Sequence, residues 1–279
     1  MAAAHLLSAE GSLGDRTRLG VLGWPVAHSR SPQMHNAALQ AVGLSGWRYQ
    51  LLPVPPELFA ETVAALPQAG FRGANVTIPH KQTALALADE ASDAARAIGA
   101  ANTLVFDEHG GIYAENTDAP ALIDALPFSP EGRTALVLGA GGSARAAVWA
   151  LLAAGASEVR VWNRHPIRAE ELCAELGAQL VADAGPADLL VNCTPVGLDA
   201  EPAAFKQLPL EADELAMFEC VVDLVYAHGE TPLVQAAHAL GVPVVDGIDL
   251  LVGQGAISFE RFTGRSAPLQ EMRTAARAR

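Results

Sequence analysis

The sequence predicts an α/β protein of two domains, one of them a doubly wound nucleotide-binding sheet. Three observations predict it. A chain of 279 residues, 51% hydrophobic and 18% charged, has the length for two domains and the balance of a globular protein. Short apolar runs bounded by Gly and Pro alternate with helix-period stretches along most of it. At its middle stands Thr134-Ala-Leu-Val-Leu-Gly139-Ala-Gly141-Gly142-Ser143-Ala144-Arg145, which reads as a strand, a glycine turn and the start of a helix.

Composition excludes several functions. A net charge of −13 argues against nucleic acid or an anionic membrane as partner, and leaves small anionic ligands open. Cys173, Cys193 and Cys220 are odd in number and form no C-x-x-C, so neither a disulfide framework nor a metal site is expected. That usage suits a reducing cytoplasm. No apolar run approaches the ~18 residues of a membrane span. Met1 to Asp15 lacks the basic start of a signal peptide, and residues 1–16 read as a flexible tail. The chain gives no choice between monomer and homodimer.

Arg18 to Gly23 reads as a first strand, leading through Trp24-Pro-Val-Ala-His28-Ser29-Arg-Ser31-Pro32 into a helix that ends at Gly43. Ser29 and Ser31 precede that helix, where hydroxyls and free N–H groups can hold a carboxylate; simple capping by Ser31 is the plainer alternative. Strand Trp47–Val54 and helix Glu57–Leu66 follow, then a strand from Phe71 that breaks at Pro79, then a helix Lys81–Ala91. Asn75 and Thr77, two apart in a strand, share a face. Lys81 is one of only two lysines, the other being Lys206. Lysine can lose its proton where arginine cannot, which makes a lysine at a strand-to-helix junction a candidate for chemistry rather than a chance surface charge. Ile98–Phe106 and Gly111–Asp118 form a hairpin around Asp107–Gly111, each arm carrying an Asn-Thr pair, Asn102-Thr103 and Asn116-Thr117. Asp118 then caps a helix from Ala119.

Strand Ala135–Leu138 enters the glycine turn, and helix Ala144–Ala154 closes on Gly155. Gly139-x-Gly141-x-x-Ala144 is the dinucleotide fingerprint: a tight turn, a close backbone approach to pyrophosphate, and a small residue for helix–strand packing. Gly142 and Ser143 offer N–H groups at the helix start. Strand Glu158–Trp162 ends on Asn163-Arg164, about twenty residues after the glycines, with Arg168 one turn on. An NAD site usually has an acid there for the ribose hydroxyl. Arginines fork onto a phosphate instead, so NADP is favoured over NAD, the alternative being ordinary solvated residues. Helix Pro166–Leu176, strand Gln179–Ala182, strand Asp188–Gly197 containing Thr194, strand Cys220–Tyr226, helix Pro232–Leu240, strand Val242–Val245 and a last helix Leu250–Phe262 complete the alternation. Gln254 interrupts the apolar face of that last helix and reads first as a satisfied core amide.

Taken together, Gly23-Trp-Pro-Val-Ala-His-Ser-Arg-Ser-Pro, His35-Asn36, Asn75-Val-Thr-Ile-Pro-His-Lys81, Gly99-Ala-Ala-Asn102-Thr, Asn116-Thr-Asp118, the glycine turn, Asn163-Arg164, Asn192-Cys-Thr-Pro-Val-Gly197 and Gln254-Gly-Ala-Ile-Ser-Phe resemble the shikimate dehydrogenases of the single-function bacterial type. The resemblance runs from about Leu19 to about Gly264. It implies a substrate domain over 17–118 and 249–279, a Rossmann-type NADP domain over 119–248, a cleft between them, and a C-terminal helix returning to the first. It also implies reversible NADPH-dependent reduction of the ketone of 3-dehydroshikimate to shikimate, a step toward aromatic amino acids.

Residue by residue, the resemblance implies that Ser29, Ser31 and Tyr226 meet the substrate carboxylate, Thr77, Asn102 and Gln254 its hydroxyls, and that Asn75 shapes the pocket. Lys81 and Asp118 are the matching catalytic pair. Gly141 to Ala144 would meet the pyrophosphate, Asn163, Arg164 and Arg168 the ribose phosphate, and Thr194 and Gly253 the nicotinamide half. The sequence departs from the family at His165, His228, Glu115 and Ala119, which puts loop geometry and cofactor affinity in question. A quinate/shikimate enzyme is the nearest rival, and a non-catalytic sensor of the same ligands the rival from another class. No Tyr is followed by Lys four residues on, and the cysteines lack zinc-enzyme spacing, so two other dehydrogenase designs are set aside.

Overall fold

The computed structural model describes residues 17–198, 204–226 and 229–278; the expectations for 1–16 and for His228 lie outside them. The chain divides into two units, one running to Thr117 and resuming at Gln254–Ala278, the other spanning Asp118–Gly253.

In the first unit the order is β1 (Thr17–Gly23), α1 (Ser31–Ala41), β2 (Trp47–Pro53), a 3-10 turn, α2 (Phe59–Ala65), β3 (Phe71–Val76), α3 (Lys81–Ala86), β4 (Glu90–Ala91), α4 (Asp93–Ile98), β5 (Thr103–Phe106) and β6 (Ile112–Glu115). The strands form one sheet ordered β2-β1-β3-β5-β6-β4. β1 lies parallel to β2 and β3, while β5 runs antiparallel to both its neighbours, β3 and β6. Leu22, Phe59, Leu66, Phe71, Val76 and Leu104 pack together beneath it, each such side chain contributing about 1.5–3 kcal/mol by leaving water. The predicted hairpin is present, its turn held by Asp107, whose Oδ1 accepts from His109 N at 2.8 Å and Gly111 N at 2.7 Å. The predicted helix Lys81–Ala91 is corrected. It stops at Ala86, and β4 pairs with β6, because Asp89 exchanges bonds with Ile112 through both backbone and side chain. A further helix, α4, was missed: Ser92 caps it by accepting from Ala95 N at 3.1 Å, and Gly99 closes it at φ 73°. Ile98, read as strand, is its last residue.

In the second unit the order is α5 (Asp118–Ala125), β7 (Thr134–Leu138), α6 (Gly142–Ala153), β8 (Glu158–Trp162), α7 (Pro166–Leu176), β9 (Gln179–Leu180), β10 (Leu189–Asn192), two 3-10 turns, β11 (Cys220–Asp223), α8 (Pro232–Ala239) and β12 (Val244–Val245). The sheet order is β12-β11-β10-β7-β8-β9, every neighbour parallel. Numbered within this unit, that is the doubly wound order, which reverses between β7 and β10. β7, β10 and β11 read as continuous apolar runs because both faces of a parallel sheet are covered. The predicted strands 188–197 and 220–226 end at Asn192 and Asp223, where side chains take over the hydrogen bonding. α9 (Gly247–Thr263) crosses from one unit's residues to the other's. One helix beyond it, α10 (Leu269–Arg277), had not been predicted; Arg30 Nη1 holds its Ala276 carbonyl at 2.9 Å.

Candidate active-site residues

In the first unit a directional chain of hydrogen bonds gathers three of the expected polar residues, Asn75, Asn102 and Gln254. Tyr49 OH donates to Asn75 Oδ1 at 2.8 Å. That acceptance turns Asn75 Nδ2 toward Thr103 Oγ1 at 3.1 Å and Asn102 O at 3.2 Å. Thr103 passes its own proton to Asn102 Oδ1 at 3.2 Å, which also accepts Thr117 N at 2.7 Å. Asn102 Nδ2 is then left to donate to Thr117 Oγ1 at 2.9 Å and Gln254 Oε1 at 3.3 Å. Each amide's orientation is dictated by its neighbour, since a carbonyl oxygen only accepts and an NH2 only donates. Tyr49 is the member that sequence reasoning missed; its inward position in the alternating Trp47–Pro53 run was the available signal. Gln254 is therefore a partnered amide, and the residue it meets is itself an expected substrate contact.

Ser29 and Ser31 stand together at the start of α1. Ser29 Oγ donates to Ser31 Oγ at 3.2 Å and accepts from Ser31 N at 3.3 Å. Capping by Ser31 is corrected: the cap position is Arg30, no side chain caps the helix, and Ser31 is its first residue. Thr77 lies just past β3, its methyl filling the place where a side chain on Gly23 would sit, so that a Cβ there would come within 2.4 Å of it.

Lys81 opens α3 and is 8% exposed, which no chance surface lysine would be. Its backbone is fixed from two sides. Ala101 N donates to its carbonyl at 2.9 Å, and the preceding His80 stacks on Phe59 with ring centroids 4.1 Å apart. His80 Nε2 donates to Val54 O at 2.7 Å, and burial lowers the imidazole pKa below its ordinary value, so the ring is a neutral anchor.

In the second unit the glycine loop has the geometry its residues predict. Gly139 adopts φ 112°, and a Cβ there would come 3.1 Å from Cys193 O, so only glycine suits the position. Gly139 N donates to Trp162 O at 2.7 Å, tying the turn to the end of β8. A Cβ on Gly141 would meet nothing within 4 Å, which leaves that backbone open to a ligand. α6 starts at Gly142, two residues before the expected Ala144, so Gly142 and Ser143 supply first-turn N–H groups while Ala144 is fully buried. Arg145, also buried, pairs with Glu175 of α7. Arg164 and Arg168 are exposed beyond β8, where Asn163 Nδ2 holds His165 O at 2.9 Å. Thr194 follows β10, its hydroxyl on Asn192 Oδ1 at 2.7 Å. Gly253 approaches α5 so closely that a Cβ would lie 3.2 Å from Ala121 Cβ. Asp118 is the first residue of α5 rather than a cap preceding it, and Tyr226 follows β11 in the same unit. Of the family departures, Glu115 is ion-paired with Arg261 at 2.7 Å, and Ala119 is buried in α5.

Among the described residues no helix is long and apolar enough to cross a membrane, and no three His, Cys, Asp or Glu side chains gather as metal ligands. Comparison with known proteins matches three parts of the chain to family models. Residues 21–104 match a shikimate dehydrogenase substrate binding domain, 125–189 a shikimate / quinate 5-dehydrogenase, and 247–277 a shikimate 5'-dehydrogenase C-terminal domain. A Paracoccus denitrificans protein named shikimate dehydrogenase (NADP(+)) is 48% identical over 88% of this chain and 90% of its own. Among solved structures, shikimate 5-dehydrogenase of Thermus thermophilus, in complex with NADP(H) and shikimate, is 41% identical with TM-score 0.81, covering 94% of this chain and 98% of its own. A 5-ketofructose reductase of Gluconobacter superposes as well, at 30% identity and TM-score 0.81 over 94% and 98% of the two chains. With the relatives' identity sustained across nearly the whole length of both units, the chain belongs to the shikimate dehydrogenase family.

Proposed function

We propose that this chain is an NADP-dependent shikimate dehydrogenase, catalysing reversible reduction of 3-dehydroshikimate to shikimate. The observation that carries the reading is the match, across both units, to an enzyme solved with NADP(H) and shikimate together. The glycine turn fits the cofactor on its own terms: an open backbone at Gly141, first-turn N–H groups at Gly142 and Ser143, and arginines rather than an acid after β8. Gly139, Gly141 to Ala144, Asn163, Arg164, Arg168, Thr194 and Gly253 would hold it. Bound there, NADPH supplies the hydride that the ketone carbon accepts.

The chain's own residues supply the rest. In this reading Ser29, Ser31 and Tyr226 take the substrate carboxylate; Thr77, Asn102 and Gln254 take the hydroxyls; Asn75 sets the wall between them. As hydride arrives, negative charge grows on the carbonyl oxygen. Lys81, as ammonium, stabilises that charge and delivers the proton, while Asp118 hydrogen-bonds in the same region and orients the amine. Residues 17–118 and 249–279 form the substrate domain and 119–248 the cofactor domain. In this reading the enzyme works in a reducing cytoplasm, which suits three cysteines with no C-x-x-C spacing.

Absorbance at 340 nm with shikimate and with quinate, each with NADP+ and with NAD+, tests the reading. Shikimate with NADP+ should be fastest by at least tenfold. Faster turnover of quinate would favour the broader enzyme. A fifth assay with NADPH and 5-ketofructose addresses the sugar reductase among the neighbours. Ligand binding by calorimetry with no absorbance change in any assay would make the protein a sensor. Ser29→Ala should raise KM for shikimate while leaving kcat within a few-fold, because carboxylate contacts act in ground and transition states alike. A loss confined to kcat would contradict that role.

A further inference from the structure

Asp223 ends β11 with no solvent exposure, and no step above uses it. Burial of a carboxyl pushes its pKa up, here to about 6, against the downward pull of Thr231, Val225 and Asn192 and with a further rise from Asp246. A group so costly to bury calls for bonding that an apolar side chain could not supply. Both oxygens are occupied: Oδ1 accepts from Asn192 Nδ2 at 2.9 Å and Val225 N at 3.1 Å, and Oδ2 accepts from Thr231 Oγ1 at 2.5 Å. Thr231 in turn caps α8, accepting from Val234 N at 3.2 Å.

The consequence lies in direction. An ionised carboxylate can only accept, so it draws the NH2 end of the Asn192 amide toward itself and turns Oδ1 the other way. Asn192 Oδ1 there accepts from Thr194 N at 3.1 Å and Thr194 Oγ1 at 2.7 Å. With its proton spent, Thr194 Oγ1 accepts from Val196 N at 3.2 Å, closing the 194–196 turn. That turn follows Cys193, whose carbonyl is the atom that Gly139 must clear. On the other side, the bond to Val225 N fixes the backbone one residue before Tyr226.

We propose that Asp223 is a positioning residue for the reaction: one carboxylate sets the Cys193–Val196 loop beside the glycine turn and the Val225–Tyr226 segment that follows β11. The proposal rests on the reading of Thr194 as a nicotinamide-side contact and Tyr226 as a carboxylate contact.

Asp223→Asn keeps the shape and removes the purely accepting character, and Thr231→Val removes one donor while leaving the carboxylate. Hydrogen exchange of the Thr194 and Val196 amides should quicken at least tenfold in Asp223→Asn, with a smaller rise in Thr231→Val. Calorimetry should show NADP+ binding weakened by about 5–30-fold, the worth of one or two lost hydrogen bonds, and KM for shikimate should rise in parallel. In a Thr194→Ala background the same change should cost less than threefold in NADP+ affinity, since coupled residues do not add. A lower melting temperature with unchanged exchange at 194 and 196, unchanged NADP+ affinity and unchanged KM would overturn the proposal and leave Asp223 a structural residue. If the wild-type protein turns over no shikimate, the functional reading fails, and the exchange measurement still decides what Asp223 orders.

Discussion

Lys81→Ala should lower kcat by roughly 10²–10⁴-fold, the usual worth of a positioned acid/base group, with a much smaller change in KM for shikimate. In the role proposed for it, the amine would act only when charge develops on the carbonyl oxygen, a state the bound substrate has not reached. The fold should survive the substitution. The start of α3 is held through backbone and neighbour contacts, namely Ala101 N on the Lys81 carbonyl, His80 on Val54, and His80 stacked on Phe59. Asp118→Asn should also depress kcat, by less than Lys81→Ala if the carboxylate only orients the amine. Steady-state kinetics with melting curves alongside provide the check. Near-normal turnover in Lys81→Ala would remove the lysine from the chemistry, whatever the status of the cofactor site.

The two units should respond to acid in opposite senses between about pH 4 and pH 6. His35 in α1 is wholly buried, stacked on Tyr49 with centroids 4.2 Å apart, and neither ring nitrogen has a hydrogen-bond partner among the described residues. Burial lowers its pKa from 6.5 to about 3, so the unfolded chain binds a proton that the folded unit refuses. A depressed folded value means that its contribution is complete above pH 6.5 and is lost as pH falls toward 3. The slope is about 1.4 kcal/mol per pH unit and the whole effect on the order of 5 kcal/mol. His80, lowered in the same unit by burial, adds to it in the same sense.

Asp223 in the second unit is raised from 3.8 to about 6, chiefly by burial and with Asp246 contributing. Its stabilisation is present below about pH 4 and lost as pH rises through about 6. Hydrogen exchange corrected for intrinsic rates, followed by peptide across about pH 4–6.5, reads each unit separately. His35→Leu should flatten the slope of the first unit and change its stability at neutral pH by less than about 2 kcal/mol. Asp223→Asn should flatten the slope of the second. Parallel loss in both units, indifferent to either substitution, would contradict this account.

Much of the fold was legible because backbone periodicity is a local property. The parallel strands announced themselves as apolar runs, and the glycine turn by the one residue able to hold φ 112° against Cys193 O. Short elements were less legible. β4 is two residues long and exists because Asp89 and β6 are already beside it, while α4 is announced only by a serine cap in the gap between what read as one helix and the next strand. α10 follows Pro268 with little apolar surface to mark it. In the site, pairings did not follow from residue types. Ser31 sits where a cap would be expected and bonds to Ser29 instead.

The sequence by itself determined the alternation of strands and helices, the cofactor turn, the arginines after β8 and a lone lysine at a strand-to-helix junction. These depend on local backbone freedom, side-chain period and residue chemistry, which neighbouring positions suffice to express. Only the tertiary structure decided which way each amide faces. Gln254 meets Asn102 across 152 residues of chain, Asn75 meets Tyr49 across 26, and Asn192 meets Asp223 across 31. An amide presents a donor and an acceptor of nearly equal shape, so its orientation is set by whichever group packing brings to it, and no local pattern carries that information.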